Sequence, residues 1–394
     1  MTLILANSMR KKCVLLFTIL LSAFAVFSQG KFTLQGVDSD KIYFKLINNL
    51  IVIPVEVNGV ELSFLLDTGV SKPILFNFSG VTDELLVNEA QTISLRGLGD
   101  GDSVEAIRST GNTFKIGKAV NFNQALFAIF DSNMDFAPRL GLPVHGIIGY
   151  DILKEFVVEI NYSRNFIRLY KPEAYKYENC KTCVTKDLSF INSKPYIETK
   201  VSFDGEKNIP VKLLIDSGGS DALWLFEDEK KDIHTPEKYF DDFLGKGLSG
   251  SVYGKRSRVA SYSIGKFKLK NVKAAFPDST SVSHARQIKD RCGSVSGEIL
   301  KRFNLILDYP SSKITLKKNK NFHLPFLYNG SGITLEHNGV RVVKELDKST
   351  KADPYSTGNG QNSSNPTIIL SATYKYSLAP SFTCLLYTSD AADD

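Results

Sequence analysis

Cysteine and histidine are scarce in this 394-residue chain, which has only five of each. The histidines are scattered without metal-ligand spacing, and Cys180 and Cys183 form a lone C-x-x-C with no second pair to complete a zinc site. The motifs H-E-x-x-H, G-x-S-x-G and G-x-x-x-x-G-K-[ST] are absent. The sequence therefore predicts neither a metal nor a cofactor, and it lacks the signatures of zinc peptidases, serine hydrolases and P-loop enzymes.

Long apolar runs are also scarce, and the one at 13–27 lies near the N-terminus, between the basic residues 10–12 and Ser28. A short positive segment before such a run is typical of a secretory signal peptide, with Met9 as an equally good start; a membrane anchor is the alternative. We therefore predict that residues 1–28 are a signal peptide and that the protein is exported, either to the periplasm or as a secreted protein. We expect no stable membrane insertion after cleavage.

The chain has little excess charge. Half of the net charge of +6 comes from residues 10–12, which leaves +3 for the mature protein. A nucleic-acid binder would carry a strong basic stripe, so the composition argues against nucleic acid as a partner.

Helical periodicity is limited to three short stretches, 150–156, 236–243 and 299–303. Phe, Tyr and Gly are plentiful, with 26, 16 and 28 residues, and short apolar stretches alternate with turns that contain Gly, Asn or Asp. The sequence therefore predicts an all-β fold.

An internal duplication is the most informative feature that the chain does have. Segment 53–69 contains an alternating strand, a glycine turn and an apolar strand that ends in D-T-G, and segment 196–218 repeats this order and ends in D-S-G. Segments 146–156 and 293–303 match each other at an offset of 147, close to the 149 residues that separate the two aspartates. Because the offsets agree to within two residues, we predict two duplicated β-rich lobes.

The aspartates of these motifs, Asp67 and Asp216, each follow a strongly apolar strand. An ionised carboxylate is costly there unless other groups compensate it. A glycine two residues later allows a sharp turn and lets backbone amides approach the carboxylate. The hydroxyl residue between them, Thr68 or Ser217, is able to hydrogen-bond across to the other lobe. The pattern therefore indicates a site built around two carboxylates.

Residues 50–320 resemble the bilobal aspartic proteases of the pepsin and retropepsin superfamily, because each D-[TS]-G is followed after about 80 residues by an apolar segment with Gly149 or Gly297. The resemblance implies two retropepsin-like β-barrel lobes related by a pseudo-two-fold axis, with the active site in the cleft between them. It implies an aspartic endopeptidase in which Asp67 and Asp216 share one proton and activate water by general acid and base catalysis, without a cofactor. Which aspartate carries the proton stays open.

The resemblance also divides the chain into domains. It predicts an N-terminal lobe at 31–172, a linker at 173–188 and a C-terminal lobe at 189–320. Four segments resemble more closely a bacterial exported group with a C-terminal PDZ domain, namely 95–101, 146–151, 216–222 and 328–333. Residues 321–382 are accordingly predicted to be the start of a truncated PDZ-like domain. Residues 383–394 resemble translated sequencing-adapter read-through, so we expect a non-native tail there.

Further site residues follow from the same resemblance. The supporting residues that we predict around the aspartates are Thr68, Gly69, Ser71, Ser217, Gly218 and Ser220. Two glycine-rich stretches, 97–105 and 245–254, occupy the positions of flaps, and the candidate flap residues are Gly99, Gly101, Gly250 and Tyr253. Because an exported chain permits disulfides, Cys180 and Cys183 are a disulfide candidate; a redox-active dithiol is less favoured, since no βαβ pattern surrounds them.

The expected partner is a peptide or protein substrate, and a monomer suffices because both aspartates belong to one chain. The alternative is a catalytically weak or inactive protein on the same fold that binds extended peptides in the cleft. Position +3 from the aspartates is Val70 in one lobe and Gly219 in the other, which differs from the Ser or Thr of pepsin-type sites. The presence of both aspartates favours the enzyme.

Overall fold

The computed structural model of the chain describes residues 30–76, 91–130, 137–329, 333–346 and 366–378. Strands dominate this part of the chain, which confirms the predicted all-β fold class. The helices are single turns: α1 Ala137–Leu140, α2 Tyr150–Leu153, α3 Ser283–Arg286 and α4 Gly297–Leu300, with 3-10 turns at Pro172–Ala174 and Glu229–Lys231.

The strands follow one another in two similar series. Those of the first series are β1 Thr33–Leu34, β2 Ser39–Tyr43, β3 Lys45–Ile47, β4 Leu50–Val57, β5 Val60–Leu66, β6 Ile74–Leu75, β7 Gln91–Leu95, β8 Val104–Ile116, β9 Ala119–Ala128, β10 Gly146–Ile148, β11 Val157–Asn161 and β12 Phe166–Tyr170. Those of the second series are β13 Cys183–Asp187, β14 Ser189–Ile191, β15 Lys194–Ser202, β16 Ile209–Asp216, β17 Leu223–Leu225, β18 Phe240–Gly247, β19 Gly250–Ile264, β20 Phe267–Pro277, β21 Arg291–Ser296, β22 Phe303–Asp308 and β23 Lys313–Lys318. The last two described strands are β24 Ile333–Leu346 and β25 Pro366–Leu378.

Each lobe closes into a ring of six strands with the same pairing order. In the N-terminal lobe the ring is β4-β5-β10-β6-β9-β8, and in the C-terminal lobe it is β15-β16-β21-β17-β20-β19. The last strand pairs back with the first in both rings. Closure removes most free sheet edges, and alternating apolar side chains fill the interior of each ring.

A third sheet joins the two lobes. Its order is β13-β23-β22-β11-β12-β2, so each lobe contributes three strands. The lobes meet where β11 and β22 pair antiparallel, with Val158 opposite Leu307. This arrangement is symmetric about the centre of the sheet, as expected for duplicated lobes related by a pseudo-two-fold axis.

The short helix predicted at 236–243 is wrong. The chain there leads into strand β18, in which Phe240 pairs with Arg256 and Phe243 with Tyr253. The spacing of the apolar residues satisfies a helix locally, but pairing with the long strand β19 satisfies the backbone groups and overrides the local preference. The other two predicted helical stretches, 150–156 and 299–303, overlap α2 and α4.

Several predicted domain limits lie at or beyond the edges of the described residues. Residues 1–28 and 383–394 lie outside them. Within the predicted linker 173–188, the structure contains the disulfide between Cys180 and Cys183 and strand β13 of the joining sheet. Of the range 321–382, beyond the first few residues, the structure describes only the antiparallel hairpin of β24 and β25.

Candidate active site

Asp67 and Asp216 stand at matching places in the two rings. Asp67 directly follows β5, which runs parallel to β10, and Asp216 ends β16, which runs parallel to β21. The backbone N–H of Asp67 donates to the Ile148 carbonyl over 2.8 Å, which ties the aspartate loop to the apolar-Gly segment beneath it. A Cβ added at Gly149 would overlap the carbonyl oxygen of Asp67, so only glycine fits under the loop.

A reciprocal set of hydrogen bonds clamps the two aspartate loops together. Thr68 Oγ1 donates to the Ile215 carbonyl over 2.6 Å, and the Ser217 N–H donates to the same hydroxyl over 3.0 Å. In the other direction, Ser217 Oγ donates to the Leu66 carbonyl over 2.7 Å, and the Thr68 N–H donates to Ser217 Oγ over 3.0 Å. Both hydroxyls are buried, so these four bonds fix the spacing of the lobes at the site.

Backbone amides orient the two carboxylates. The Gly69 N–H donates to Asp67 Oδ1 over 2.6 Å, and the Gly218 N–H donates to Asp216 Oδ1 over 3.1 Å. A Cβ added at Gly218 would overlap Asp67 Oδ2, so the carboxylate of the first lobe presses against the loop of the second. The two predicted glycines therefore lie at the junction of the carboxylates.

The environment favours protonation of the pair. Burial, and after it the charge of the neighbouring Asp216, raises the pKa of Asp67 to about 7. Burial also raises the pKa of Asp216, whereas the positive charges of Arg291 and Lys194 oppose that rise. Two carboxyl groups in such surroundings hold one proton between them at mildly acidic pH.

Sequence reasoning missed the two cations, Lys194 and Arg291. Lys194 opens β15, two residues before Tyr196, which pairs with Leu214 of β16 two residues before Asp216. The Arg291 guanidinium lies 5.9 Å from the ring centre of Tyr196. Both side chains are half-buried. A comparison of the two repeats could have drawn attention to Arg291, because this charged residue stands 147 residues after the apolar Val144.

The two predicted flap stretches are hydrogen-bonded to each other. The Gly101 N–H donates to the Ser249 carbonyl over 2.7 Å, and the Ser249 N–H donates to the Leu98 carbonyl over 2.9 Å. Ser249 Oγ accepts from the Gly97 N–H over 3.0 Å, and the Gly99 N–H donates to Ser281 in the C-terminal lobe over 3.1 Å. The first flap thus binds both the tip of the second flap and the body of the opposite lobe.

Each flap also places a leucine in the opposite lobe. Leu98 of the N-terminal lobe packs among residues of the C-terminal lobe that include Trp224, Phe226 and Val282. Leu248 packs against an apolar cluster of the N-terminal lobe. We call that cluster the N-lobe cluster; its buried members are Val52, Leu65, Phe76, Ala106, Ile129 and Val144, with Leu50 at its margin.

Among the described residues, no hydrogen bond joins the remaining predicted site residues to the two carboxylates. The hydroxyls of Ser71 and Ser220 make no hydrogen bond within the described ranges, and Ser220 is exposed. Gly250 lies in the second flap with φ of +115°, a conformation that favours glycine. Tyr253 is 48% exposed and packs edge-on against the ring of Phe243, on the outside of that flap.

Cys180 and Cys183 form a disulfide with a Cα–Cα distance of 5.4 Å, and Cys292 is a buried free thiol. In the part of the chain that the structure covers, no group of three His, Cys, Asp or Glu residues is placed to hold a metal ion. Among those same residues, no helix combines the length and apolarity needed to cross a membrane.

Comparison with known proteins finds one matching family model and a similar solved structure. Residues 53–152 match the family model described as aspartyl protease. Among solved structures, the fold is similar to that of the aspartic proteinase from Irpex lacteus, with 11% sequence identity, a TM-score of 0.45 and coverage of 73% of this chain and 99% of that one. No curated protein matches the chain by sequence.

Proposed function

We propose that this protein is an aspartic endopeptidase that hydrolyses peptide bonds with Asp67 and Asp216. The observation that carries the proposal is the reciprocal hydrogen bonding of Thr68 and Ser217, which holds the two aspartate loops face to face. The match of residues 53–152 to the aspartyl protease family supports the same reaction class.

In this proposal the charge resides on Asp216 and the proton on Asp67. The positive charges of Arg291 and Lys194 oppose the rise in the pKa of Asp216, and Lys194 opposes that of Asp67 as well. Ionised Asp216 takes a proton from a water molecule, whose oxygen attacks the scissile carbonyl carbon. Asp67 gives its proton to the carbonyl oxygen, and a tetrahedral diol forms. Asp216 then delivers its proton to the leaving nitrogen, Asp67 recovers one from the diol, and the C–N bond breaks.

The flaps supply water exclusion for this chemistry. The bonds that join Gly101, Ser249 and Leu98 hold the two flap stretches together, and in this proposal they open to admit a substrate. Closure over a bound, extended peptide lowers the local dielectric and strengthens the action of the two carboxylates. The substrate is therefore a peptide or an unfolded segment of a protein, and one chain suffices as the active unit.

We further propose that the protein acts after export, as the apolar segment 13–27 suggests, and that it belongs to the bacterial exported group with a C-terminal PDZ domain. N-terminal sequencing of protein recovered from periplasm or culture medium is expected to begin near Gln29. Recovery of chains that still begin at Met1 or Met9 would contradict this proposal.

A peptide-library digest between pH 3 and pH 8 tests the activity. We expect internal cleavage by the parent protein and a loss of at least a thousandfold in Asp67→Asn and Asp216→Asn, because a single carboxyl group cannot serve as both acid and base. Asp232→Asn, which changes an exposed aspartate, is the matched control and should cleave like the parent. Peptide binding without cleavage by the parent would favour the alternative of a peptide-binding protein.

A further inference from the structure

A network of charged side chains lies at the base of the second flap. The Arg256 guanidinium donates from Nη1 to Asp221 Oδ1 over 2.7 Å and from Nε to Asp242 Oδ2 over 2.5 Å. The other carboxylate oxygen of Asp221 accepts from the indole Nε1 of Trp224 over 2.7 Å. The three charged side chains are between 16% and 22% exposed, so these bonds are made in surroundings largely shielded from water.

The network joins two elements of the candidate site. Asp221 stands five residues after Asp216 in the loop 217–222, which we call the Asp216 loop. Asp242 lies in β18, three residues before the second flap, and Arg256 lies in β19, two residues after it. These two side chains lie diagonally across the hairpin of β18 and β19, on the same face. One guanidinium therefore holds both the Asp216 loop and a strand of the flap.

Arg256 is the fixed part of this arrangement. It pairs with Ala275 of β20 as well as with Phe240 of β18, so its backbone belongs to the closed ring. Among the described strands β18 pairs only with β19 and forms the edge of its sheet. The donors of a guanidinium form a rigid fork. A shift of β18 therefore moves Asp242 relative to Arg256 and alters the bond that the same guanidinium makes with Asp221.

The N-terminal lobe lacks this network although it has the arginine. Arg108 corresponds to Arg256, since each lies eight residues before the end of its strand, β8 or β19. The position of Asp221 is taken by Lys72, which pairs with Asp151 over 3.1 Å. Arg108 is exposed, and no ion pair joins it to a carboxylate of the described residues. The ring closes in both lobes, so ring closure does not require the network.

The first flap is linked to the same region. Leu98 of that flap and Trp224 pack against the same two groups of buried side chains, one of which contains Phe226. The closed first flap and the indole that holds Asp221 therefore border one apolar cluster. Both flaps are thus linked to Asp221, the second through Arg256 and the first through Trp224.

We propose that Arg256 is a positioning residue that couples closure of the second flap to the placement of Asp216. With the flap closed, the guanidinium binds both carboxylates and holds the Asp216 loop where Ser217 and Gly218 make their hydrogen bonds at the site. With the flap open, Asp242 moves away and the loop gains freedom. The reactive geometry is then complete only after closure. This inference rests on the proposed function, since it concerns the placement of a carboxylate that the proposed reaction uses.

Asp242→Asn tests the coupling because it loosens the flap strand and leaves the Asp216 loop chemically unchanged. The change removes a charge but keeps the shape of the side chain, and Arg256 keeps its bond to Asp221. Hydrogen–deuterium exchange of the full chain should show about fivefold faster uptake in peptides that cover the Asp216 loop, as well as in β18. For a library peptide that the parent cleaves, kcat should fall about fivefold with KM changed by less than about twofold. A purely local ion pair would change uptake in β18 alone.

Two further variants separate the geometry of the arginine from its charge. Arg256→Lys keeps the positive charge but cannot hold two carboxylates in the fork geometry, so we expect it to act like Asp242→Asn. Arg108→Gln is the matched control, since it changes the corresponding arginine of the N-terminal lobe, and its uptake in the Asp216 loop and its kcat should equal those of the parent. If Arg256→Lys does not fold, Asp242→Asn still decides, because it keeps the guanidinium and its pair with Asp221.

Parental uptake in the Asp216 loop of Asp242→Asn would overturn the proposal, and so would a parental kcat despite raised uptake, or equal effects in Arg108→Gln. Failure of the proposed function has a different result. In that case the parent cleaves no peptide, yet Asp242→Asn still raises uptake in the Asp216 loop and Arg108→Gln does not.

Discussion

Removal of the Asp67 carboxylate should stabilise the protein at neutral pH although it destroys the proposed activity. In the folded protein the pKa of Asp67 is raised from 3.8 to about 7, chiefly by burial and then by the charge of Asp216. The folded state therefore binds a proton that the unfolded state releases, and its stability falls as the pH rises from about 3.8 through about 7. Asn has the shape of the protonated acid and carries no charge at any pH.

The size of the effect follows from the shift in pKa. A difference of roughly 3 pKa units corresponds to about 4 kcal/mol of unfolding free energy. Asp67→Asn should therefore equal the parent near pH 4 and exceed it by about 4 kcal/mol at pH 8. Urea unfolding between pH 4 and pH 8, followed by the fluorescence of the single tryptophan, Trp224, measures the difference.

A control with the opposite sign accompanies this measurement. Lys207 lowers the pKa of the exposed Asp232, so Asp232→Asn should lose a small amount of stability above pH 4 and none below that group's own pKa. The reasoning about Asp67 would be refuted if the urea midpoint of Asp67→Asn fell with pH as steeply as that of the parent.

Three further predictions concern the interlobe contact, the flaps and the disulfide. Thr68→Val leaves the buried Ile215 carbonyl without its donor and should cost on the order of 2 kcal/mol in urea unfolding; a cost below about 0.5 kcal/mol would contradict the role of the contact. Leu98→Asn removes apolar burial at the first flap, so deuterium uptake at 97–101 should rise about tenfold, and unchanged uptake would show that the leucine does not hold the flap closed. Cys183→Ser opens a loop of only four residues and should cost at most about 2 kcal/mol, with a larger loss in thermal unfolding counting against a purely local role.

Much of the fold could be predicted from the sequence because the duplication is a linear pattern. The strands before Asp67 and Asp216 recur with the same turn and the same apolar ending, and such a repeat identifies two equivalent lobes without any knowledge of contacts. The candidate aspartates followed from the same pattern, since a charged residue after an apolar strand requires a special environment. Local periodicity failed at 236–243, where pairing with β19 decides the conformation.

The contacts between the lobes could not be predicted in this way. Hydrogen bonds such as those between Thr68 and Ser217 join residues about 150 positions apart, and the sequence indicates only that both hydroxyls are present. The same holds for the flaps, whose glycines were recognisable although the exchange of Leu98 and Leu248 between the lobes was not. Such contacts depend on how two closed rings dock, which no local pattern specifies.

Lys194 and Arg291 show most clearly which features of the site depend on the folded structure and not on a sequence motif. Lys194 precedes Asp216 by 22 residues and Arg291 follows it by 75, so neither belongs to a recognisable motif around the aspartate. Antiparallel pairing of β15 with β16 ends at Tyr196 and Leu214, two residues from Lys194 and Asp216, and parallel pairing of β16 with β21 sets Arg291 beside Lys212. Residue types and repeats are properties of the chain itself, whereas the charge balance of the cleft depends on strand register and on burial, which exist only after the chain has folded.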